Sequence, residues 1–202
     1  MAQLEVRELS GSQLAAAAAV LGRGMRDNPL HVRAFGGDPA AREAALTRFF
    51  LPVLRQQLLK GAVLGALRDG NLVGVCAMVE PGRCQPTVGE RLRILPALLG
   101  GSTLRSLGAV LRWTSVWARH DPRDPHWHLG PVAVDRDLQG RGIGRALLEE
   151  FCRRIDARGA AAHLETDREI NVSFYERFAF RVTGQEPVLG VTNWFMLRRG
   201  GQ

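Results

Sequence analysis

The sequence predicts a single α/β domain built on a mixed sheet. Short apolar runs typical of strands alternate along the chain with longer amphipathic segments typical of helices. The chain has 202 residues, of which 46% are hydrophobic, and this suits one domain with a sizeable core. Because neither an internal repeat nor a linker divides the sequence, we expect one domain over residues 1–202.

Local signals mark the ends of several elements. Ser10 or Ser12 suits the N-cap of an alanine-rich helix, Asp38–Pro39 suits the start of another, and Pro52 predicts a kink or boundary inside the latter. Asp69–Gly70 is a hairpin signal. Strands are predicted at Leu4–Leu9, Val63–Arg68, Leu72–Val79, His126–Val134, Ala162–Glu165, Phe180–Val182 and Trp194–Leu197. Helices are predicted up to about Leu21, from Asp38 toward Lys60, and at Leu92–Leu99, Leu104–Ala118, about Gly144–Ala157 and Asp167–Phe178, with residues 23–39 as an irregular polar loop.

The composition of the chain limits the range of functions that it suits. The formal charge is +7, but the basic residues are scattered arginines apart from Lys60, and no run of like charge occurs. Charge alone does not decide between a nucleic-acid surface and a site for a polyphosphate ligand, and we expect no nucleic acid as a partner. We expect no membrane either, because no stretch approaches the roughly 18 apolar residues of a membrane span. The three cysteines lack metal-ligand spacing, so we expect free thiols in the reducing cytoplasm and no metal site. The start of the chain does not resemble a signal peptide.

The stretch Asp137–Leu148, "DLQGRGIGRALL", predicts an anion-binding turn. It follows a strand and leads into a helix, whose first backbone amides lack intrahelical acceptors. Glycine lets an anion approach those amides, and the helix dipole with Arg141 and Arg145 adds positive charge. The Walker pattern is missing, and Leu147 stands where a Rossmann turn needs glycine or alanine. A glycine-rich turn without a ligand is the alternative.

Two motifs resemble those of the GNAT superfamily of acyl-CoA-dependent N-acyltransferases. One is Gln139-x-x-Gly142-x-Gly144 after a strand. The other is "INVSFYERFAF", which is similar to the family's Asn…Phe-Tyr-Glu-x-x-Gly-Phe segment, with Ala179 where glycine is usual. Over about Trp127–Leu197 the sequence looks most like the puromycin-type small-molecule acetyltransferases.

The resemblance implies a GNAT fold with a mixed, mostly antiparallel central sheet that is splayed between strands 4 and 5 and flanked by helices. Acetyl-CoA, the implied co-substrate, would lie in the splay. Residues 1–125 would form the acceptor side, with a helical insertion at about 88–119, and residues 126–202 the acetyl-CoA-binding half. The implied cofactor contacts are Val132, Ala133, Val134, Gln139, Gly140, Arg141, Gly142, Ile143, Gly144, Arg145 and Asn171.

The implied activity is direct acetyl transfer to a primary amine of a small molecule, with both substrates bound together. No Ser-His-Asp signature argues for a covalent intermediate. The family assigns the general acid to the motif tyrosine, here Tyr175. Many members carry a strand-4 glutamate as the base, but Gly130 stands there, which leaves Glu165, His128 or a water chain as alternatives.

The acceptor is expected to contact the loop after the first helix and the segment before strand 4. The loop contributes Asn28 and His31, and the segment before strand 4 contributes Trp113. Trp113 and Trp117 lie on one helical face, where they form either part of the core or the apolar wall of a pocket for a bulky amine. A peptide or protein amine, a non-catalytic acyl-CoA sensor and a nucleic-acid binder are the alternative functions. The oligomeric state is open, a homodimer included.

Overall fold

The computed structural model describes residues 4–85, 87–90, 92 and 104–201. Its centre is a 7-stranded sheet with the strand order β1-β2-β3-β4-β5-β7-β6. Neighbouring strands are antiparallel except β4 and β5, which are parallel, so the predicted mixed, mostly antiparallel α/β sheet is confirmed. The strands are β1 (Leu4–Glu8), β2 (Gly61–Arg68), β3 (Asn71–Val79), β4 (His126–Val134), β5 (Ala161–Thr166), β6 (Arg181–Val188) and β7 (Val191–Arg198).

Helices cover both faces of this sheet. They are α1 (Leu14–Met25), α2 (Pro29–Phe35), α3 (Pro39–Lys60), α4 (Leu104–His120), α5 (Ile143–Asp156) and α6 (Glu169–Glu176), with single 3-10 turns at Gly11–Gln13 and Arg136–Leu138. Helices α1 and α3 contact β3 from one side, and α5 contacts it from the other. In the part of the chain that is described, every helix is too short or too polar to cross a membrane.

Strand β3 shows how the sequence builds two cores. Val75 and Ala77 join the cluster under α1 and α3, while Cys76 and Met78 join the cluster under α5. Successive side chains of a strand point to opposite faces, and both faces of β3 are covered. That is why the strand appears in the sequence as an unbroken apolar run and not as an alternation.

The sheet opens between β4 and β5. The two strands pair only from His126 with Ala161 to His128 with His163, whereas β4 continues to Val134 and β5 to Thr166. Beyond His128 the edge of β4 that faces β5 therefore has no strand partner among residues 4–85, 87–90, 92 and 104–201. This is the splay that the resemblance implied.

The predicted loop at residues 23–39 is wrong, because α1 extends to Met25 and α2 occupies Pro29–Phe35. Tertiary contact explains the longer α1. A Cβ on Gly24 would lie 2.4 Å from the carbonyl oxygen of Val134, so a glycine that weakens helix propensity is needed for close packing against β4. Helix α2 begins with Pro29 at its first position and buries His31.

Three other boundaries differ from the prediction. Pro52 lies within a continuous α3 and is no boundary, and α6 ends at Glu176 instead of Phe178. Strands β6 and β7 extend toward each other and meet at a tight turn, because cross-strand pairing continues through Pro187 with Thr192. The predicted helix Leu92–Leu99 lies outside the described residues apart from Leu92.

Candidate active site

A cleft of about 710 Å³ runs along the open edge of β4. Val132, Ala133 and Val134 line one side, and the glycine turn with the start of α5 lines another. The Nε2 of Gln139 donates to the carbonyl oxygens of Gly24 and Val134, both at 3.2 Å, and so ties the turn to α1 and β4. An unpaired strand edge beside a set of turn amides is a shape that an extended ligand with amide and phosphate groups can fill.

The turn itself has the geometry of an anion cradle. Gly142 is the N-cap of α5 with a φ of 81°, a left-handed conformation that favours glycine. A Cβ at Gly140 or Gly142 would meet no protein atom within 4 Å, so the space above both is open. The positive end of the α5 dipole points into this space.

Four arginines stand around the turn. Arg145, Arg168 and Arg177 line the cleft, and Arg145 Nε also pairs with Glu149 at 2.7 Å. Among the predicted cofactor contacts, Arg141 is exposed but does not line the cleft. The local charge is therefore positive on balance, which suits an anionic group.

A second cleft of about 350 Å³ opens on the other side of the β4–β5 gap. Helices α3 and α4 wall it with Phe49, Phe50, Trp113 and Trp117, α2 adds His31, and its floor is formed by residues in the middle of β4 and at the end of β5. The cleft is thus mostly apolar with a polar floor. Such a combination is usual for a site that binds a small organic molecule and orients it with few polar groups.

The two clefts meet at the gap in the sheet. Met25, Asn28, Val132, Asn171 and Tyr175 line both. A ligand in the first cleft and a ligand in the second can therefore touch each other at this point, as direct group transfer requires.

Tyr175 lies on α6 at this junction and is only 8% exposed. Burial, with smaller contributions from Cys76, Asp167 and Glu165, raises the pKa of its phenol. The hydroxyl therefore stays protonated at neutral pH and is able to donate a proton or a hydrogen bond.

A carboxyl and an imidazole face each other on the floor of the second cleft. Glu165 Oε2 lies 3.3 Å from His128 Nε2. Burial raises the pKa of Glu165 to about 8 and lowers that of His128 to about 4. Although the contact has the geometry of an ion pair, burial favours the uncharged form of both groups, so at neutral pH the carboxyl carries the proton that the pair shares.

The sequence model of the Acetyltransferase (GNAT) family matches residues 34–180, which is well over half of the chain. The chain belongs to the GNAT acetyltransferase family. Acetyl-CoA as the co-substrate, which the motifs implied, is confirmed at the level of this family.

Solved structures agree with the GNAT fold. A Corynebacterium glutamicum protein described as histone acetyltransferase HPA2 and related acetyltransferase matches with a TM-score of 0.75 and 22% identity, over 100% of this chain and 98% of that one. The PaiA N-acetyltransferase of Thermoplasma acidophilum, in complex with coenzyme A, matches with 0.59 and 15%, over 98% and 99%. Polyamine N-acetyltransferase of Drosophila melanogaster, which forms N-acetylagmatine, matches with 0.63 and 15%, over 98% and 100%.

In this GNAT protein the structure brings the three predicted acceptor residues into the second cleft. Asn28 Nδ2 lies 3.5 Å from Asp167 Oδ1, and it also reaches the first cleft. His31 is buried against Trp113 with ring centroids 5.2 Å apart, and among the described residues neither of its ring nitrogens has a hydrogen-bond partner. Trp113 belongs both to the core and to the cleft wall, so the two alternatives for this residue coexist.

Several site residues of this GNAT protein escaped the sequence analysis. Asp167 accepts a 2.7 Å hydrogen bond from the backbone N–H of Leu30 and thereby holds α2 over the end of β5. Gln57 Nε2 donates to the carbonyl oxygen of Gly130 at 2.7 Å. The signal for Asp167 was its place just after β5, in the same "LETD" stretch as Glu165, whereas Gln57 sits on a helix with no distinguishing pattern.

Proposed function

We propose that this protein transfers the acetyl group of acetyl-CoA to a primary amine of a small, largely apolar molecule, directly and with both substrates bound. The observation that carries the proposal is the pair of clefts that meet at the β4–β5 gap, with Tyr175 lining both. The sequence-level likeness to puromycin-type small-molecule acetyltransferases agrees with this class of acceptor.

On the coenzyme side, the turn from Gln139 to Arg145 holds the diphosphate. The open edge of β4 from Val132 to Val134 pairs with the pantetheine amides as an added strand would. One backbone N–H of the same edge polarises the thioester carbonyl in the manner of an oxyanion hole. Asn171, whose Nδ2 donates to Thr166 Oγ1 at 3.1 Å, braces the opposite wall of the gap.

Proton transfer is divided between two sides of the gap. The amine nitrogen must lose a proton as it becomes an amide, and the Glu165–His128 pair on the acceptor floor receives that proton. The departing thiolate of coenzyme A gains a proton from the Tyr175 hydroxyl. The pair thus supplies the base that Gly130 on β4 does not.

The acceptor cleft favours an amine with an aromatic or otherwise bulky apolar body. Phe49, Phe50 and the two tryptophans give it apolar walls, while His31 and Trp113 offer ring N–H groups that lack a partner in the part of the protein that the structure describes. A bound molecule with a hydrogen-bond acceptor on its apolar body satisfies these groups, whose burial is otherwise unfavourable. Asn28, His31 and Trp113 are accordingly the proposed specificity residues.

The two halves of the chain, the cysteines and the oligomeric state complete the proposal. Residues 1–125 contribute most of the acceptor cleft and residues 126–202 most of the coenzyme cleft, although Gly24 and Met25 also line the latter. Cys76, Cys84 and Cys152 are free thiols, which fits a cytoplasmic protein. A homodimer stays a proposal for direct measurement by sedimentation.

The proposal is tested with purified protein, acetyl-CoA and a panel of primary amines that spans aromatic, aliphatic, polyamine and peptide compounds. Release of the coenzyme A thiol and the mass of the acetylated product are recorded together. We expect turnover with aromatic or heterocyclic amines above all. Binding of acetyl-CoA without release on any amine would instead identify a sensor, and turnover only on peptides would identify a protein acetyltransferase.

Tyr175→Phe tests the acid. We expect kcat to fall by about 100-fold, since general acid catalysis contributes at least that much, while the dissociation constant for acetyl-CoA changes little. The substitution keeps the ring and its packing against Phe174 and Phe180, so folding is preserved. A loss of affinity without a loss of turnover in the bound complex would refute the assignment.

A further inference from the structure

A cluster of metal-ligating side chains lies beside the acceptor cleft, and the proposed reaction does not use most of it. Cys84 follows β3, Asp121 follows α4, and His126 and His128 stand two residues apart on β4. One ligand atom from each of the four lies within 4.8 Å of all the others. Cys84, Asp121 and His128 line the cleft, whereas His126 does not.

The geometry of the cluster resembles a metal site more than a nucleophilic triad. Cys84 Sγ lies 3.7 Å and Asp121 Oδ1 3.1 Å from the same atom, Nε2 of His126. In a Cys-His-Asp triad the thiol and the carboxylate bind opposite nitrogens of the imidazole. Here both converge on one side of the ring, as ligands do around a shared ion.

Hydrogen bonds orient the ligand atoms from behind. His126 Nδ1 donates to the carbonyl oxygen of Asp124 at 2.8 Å, which directs Nε2 toward the cluster. Gln85 Nε2 donates to Asp121 Oδ2 at 2.8 Å, which leaves Oδ1 for the cluster. Supporting contacts of this kind are typical of histidine and carboxylate ligands in metal sites.

We propose that Cys84, Asp121, His126 and His128 bind a zinc-class divalent ion, and that the ion, by occupying a ring nitrogen of His128, disables the Glu165–His128 pair. A thiolate, two imidazoles and one carboxylate suit Zn²⁺, since Ca²⁺ and Mg²⁺ prefer oxygen ligands throughout. With two anionic and two neutral ligands the loaded site is neutral. The second half of the proposal rests on the proposed function, because it concerns the pair that receives the substrate proton.

Without an ion, Cys84 Sγ and Asp121 Oδ1 both lie near Nε2 of His126, at 3.7 Å and 3.1 Å, so the ligand atoms already converge. Because thiol and imidazole ligands must be deprotonated to bind a metal ion, we expect zinc affinity to rise with pH. The loaded site also joins the segment after β3 to β4.

Metal binding is tested on the purified protein with Co²⁺ as a spectroscopic probe and Zn²⁺ by calorimetry. We expect one equivalent of Co²⁺ with d–d absorption and a sulfur-to-cobalt charge-transfer band, both displaced by Zn²⁺. Cys84→Ser should remove the charge-transfer band and lower Zn²⁺ affinity at least about 10–100-fold. Cys152→Ala, at a buried thiol on α5, should change neither result.

Activity provides the second readout. We expect Zn²⁺ to inhibit acetyl transfer and a chelator to restore it, and we expect His126→Asn to resist this inhibition while its metal-free turnover stays within about 3-fold of the native rate. Failure of Zn²⁺ to bind, or equal binding by Cys84→Ser and the native protein, overturns the site. Stoichiometric binding without inhibition overturns the claim on His128. Neither result bears on acetyl transfer by the metal-free protein, which is measured separately.

Discussion

At the scale of single residues, the proton shared by Glu165 and His128 governs the proposed chemistry. The sequence already pointed to both residues as alternative bases, because one ends a strand and the other lies on the neighbouring strand. Their contact and their opposite pKa shifts could not be read from it. Both arise from burial under α2 and α4, which come from the other half of the chain.

The pH profile of kcat is the first consequence. Glu165 has its pKa raised to about 8, so its carboxylate form gains population as the pH rises through that value, and we expect turnover to rise with it. An aromatic amine acceptor is used, since its own pKa lies far below 8 and does not contribute to the profile. Glu165→Gln should lower kcat by about 100-fold or more and remove the inflection.

His128→Gln serves as the comparison for this experiment. If the imidazole alone were the base, the native profile would show no inflection near pH 8, and His128→Gln but not Glu165→Gln would lose turnover. If a water chain serves, both variants would keep near-native turnover. The two variants and the presence of the inflection therefore distinguish the three alternatives that the sequence left open.

At the scale of elements, two helices end in the same motif with different residues. At the end of α5, Ala160 N–H bonds to Ile155 O and Gly159 N–H to Asp156 O, with Gly159 at a φ of 57°. At the end of α6, Phe180 N–H bonds to Tyr175 O and Ala179 N–H to Glu176 O, with Ala179 at a φ of 63°. Both are Schellman caps, in which glycine is the preferred left-handed residue.

Reciprocal substitutions test this cap. Ala179→Gly should stabilise the protein by about 1 kcal/mol or less, because the left-handed strain of about 1–2 kcal/mol is relieved and part of the gain is lost to the flexibility of the unfolded chain. Gly159→Ala should destabilise it by a similar amount. A shift of about 2–4 °C in Tm per kcal/mol is expected for a domain of this size. If the Tm of both variants shifted in the same direction, the assignment of the two helix ends as Schellman caps would be contradicted.

In the glycine turn, the effect of a substitution on stability can be separated from its effect on coenzyme binding. Gly142→Ala and Gly159→Ala both place a side chain at positive φ without a steric clash, at opposite ends of α5. Both should therefore lose about 1 kcal/mol of stability. Only Gly142→Ala should raise the KM for acetyl-CoA, by about 10-fold, because its Cβ occupies the space above the turn amides. An equal KM for the two variants would exclude this turn from coenzyme binding.

At the scale of the whole molecule, local patterns predicted the sheet and its coenzyme half well. The turn residues, the face of α5 and the strand edge all lie within one stretch of about 70 residues. Within so short a stretch, the spacing of residues in the sequence predicts how they are arranged in space. The acceptor half was harder to predict from the sequence, because α2 and the longer α1 depend on packing against β4. The Cys84 cluster was missed for a similar reason, since its ligands come from three segments that only the fold brings together.

The net charge of +7 should attract coenzyme A to the whole surface of the protein as well as to the glycine turn. Coenzyme A is a polyanion, whereas the proposed acceptor carries at most one charge. Raising the ionic strength from ~0.01 M to ~0.15 M shortens the Debye length from about 30 Å to about 8 Å, which screens all but the nearest arginines. We therefore expect the KM for acetyl-CoA to rise several-fold over this range while the KM of the amine stays nearly constant. Arg168→Gln, at the wall of the coenzyme cleft, should flatten the salt dependence, and Arg48→Gln on α3, away from both clefts, should not. If the amine KM changed as much as that of acetyl-CoA, general destabilisation by salt would explain the effect, and the arginines around the turn would have no role in holding the coenzyme.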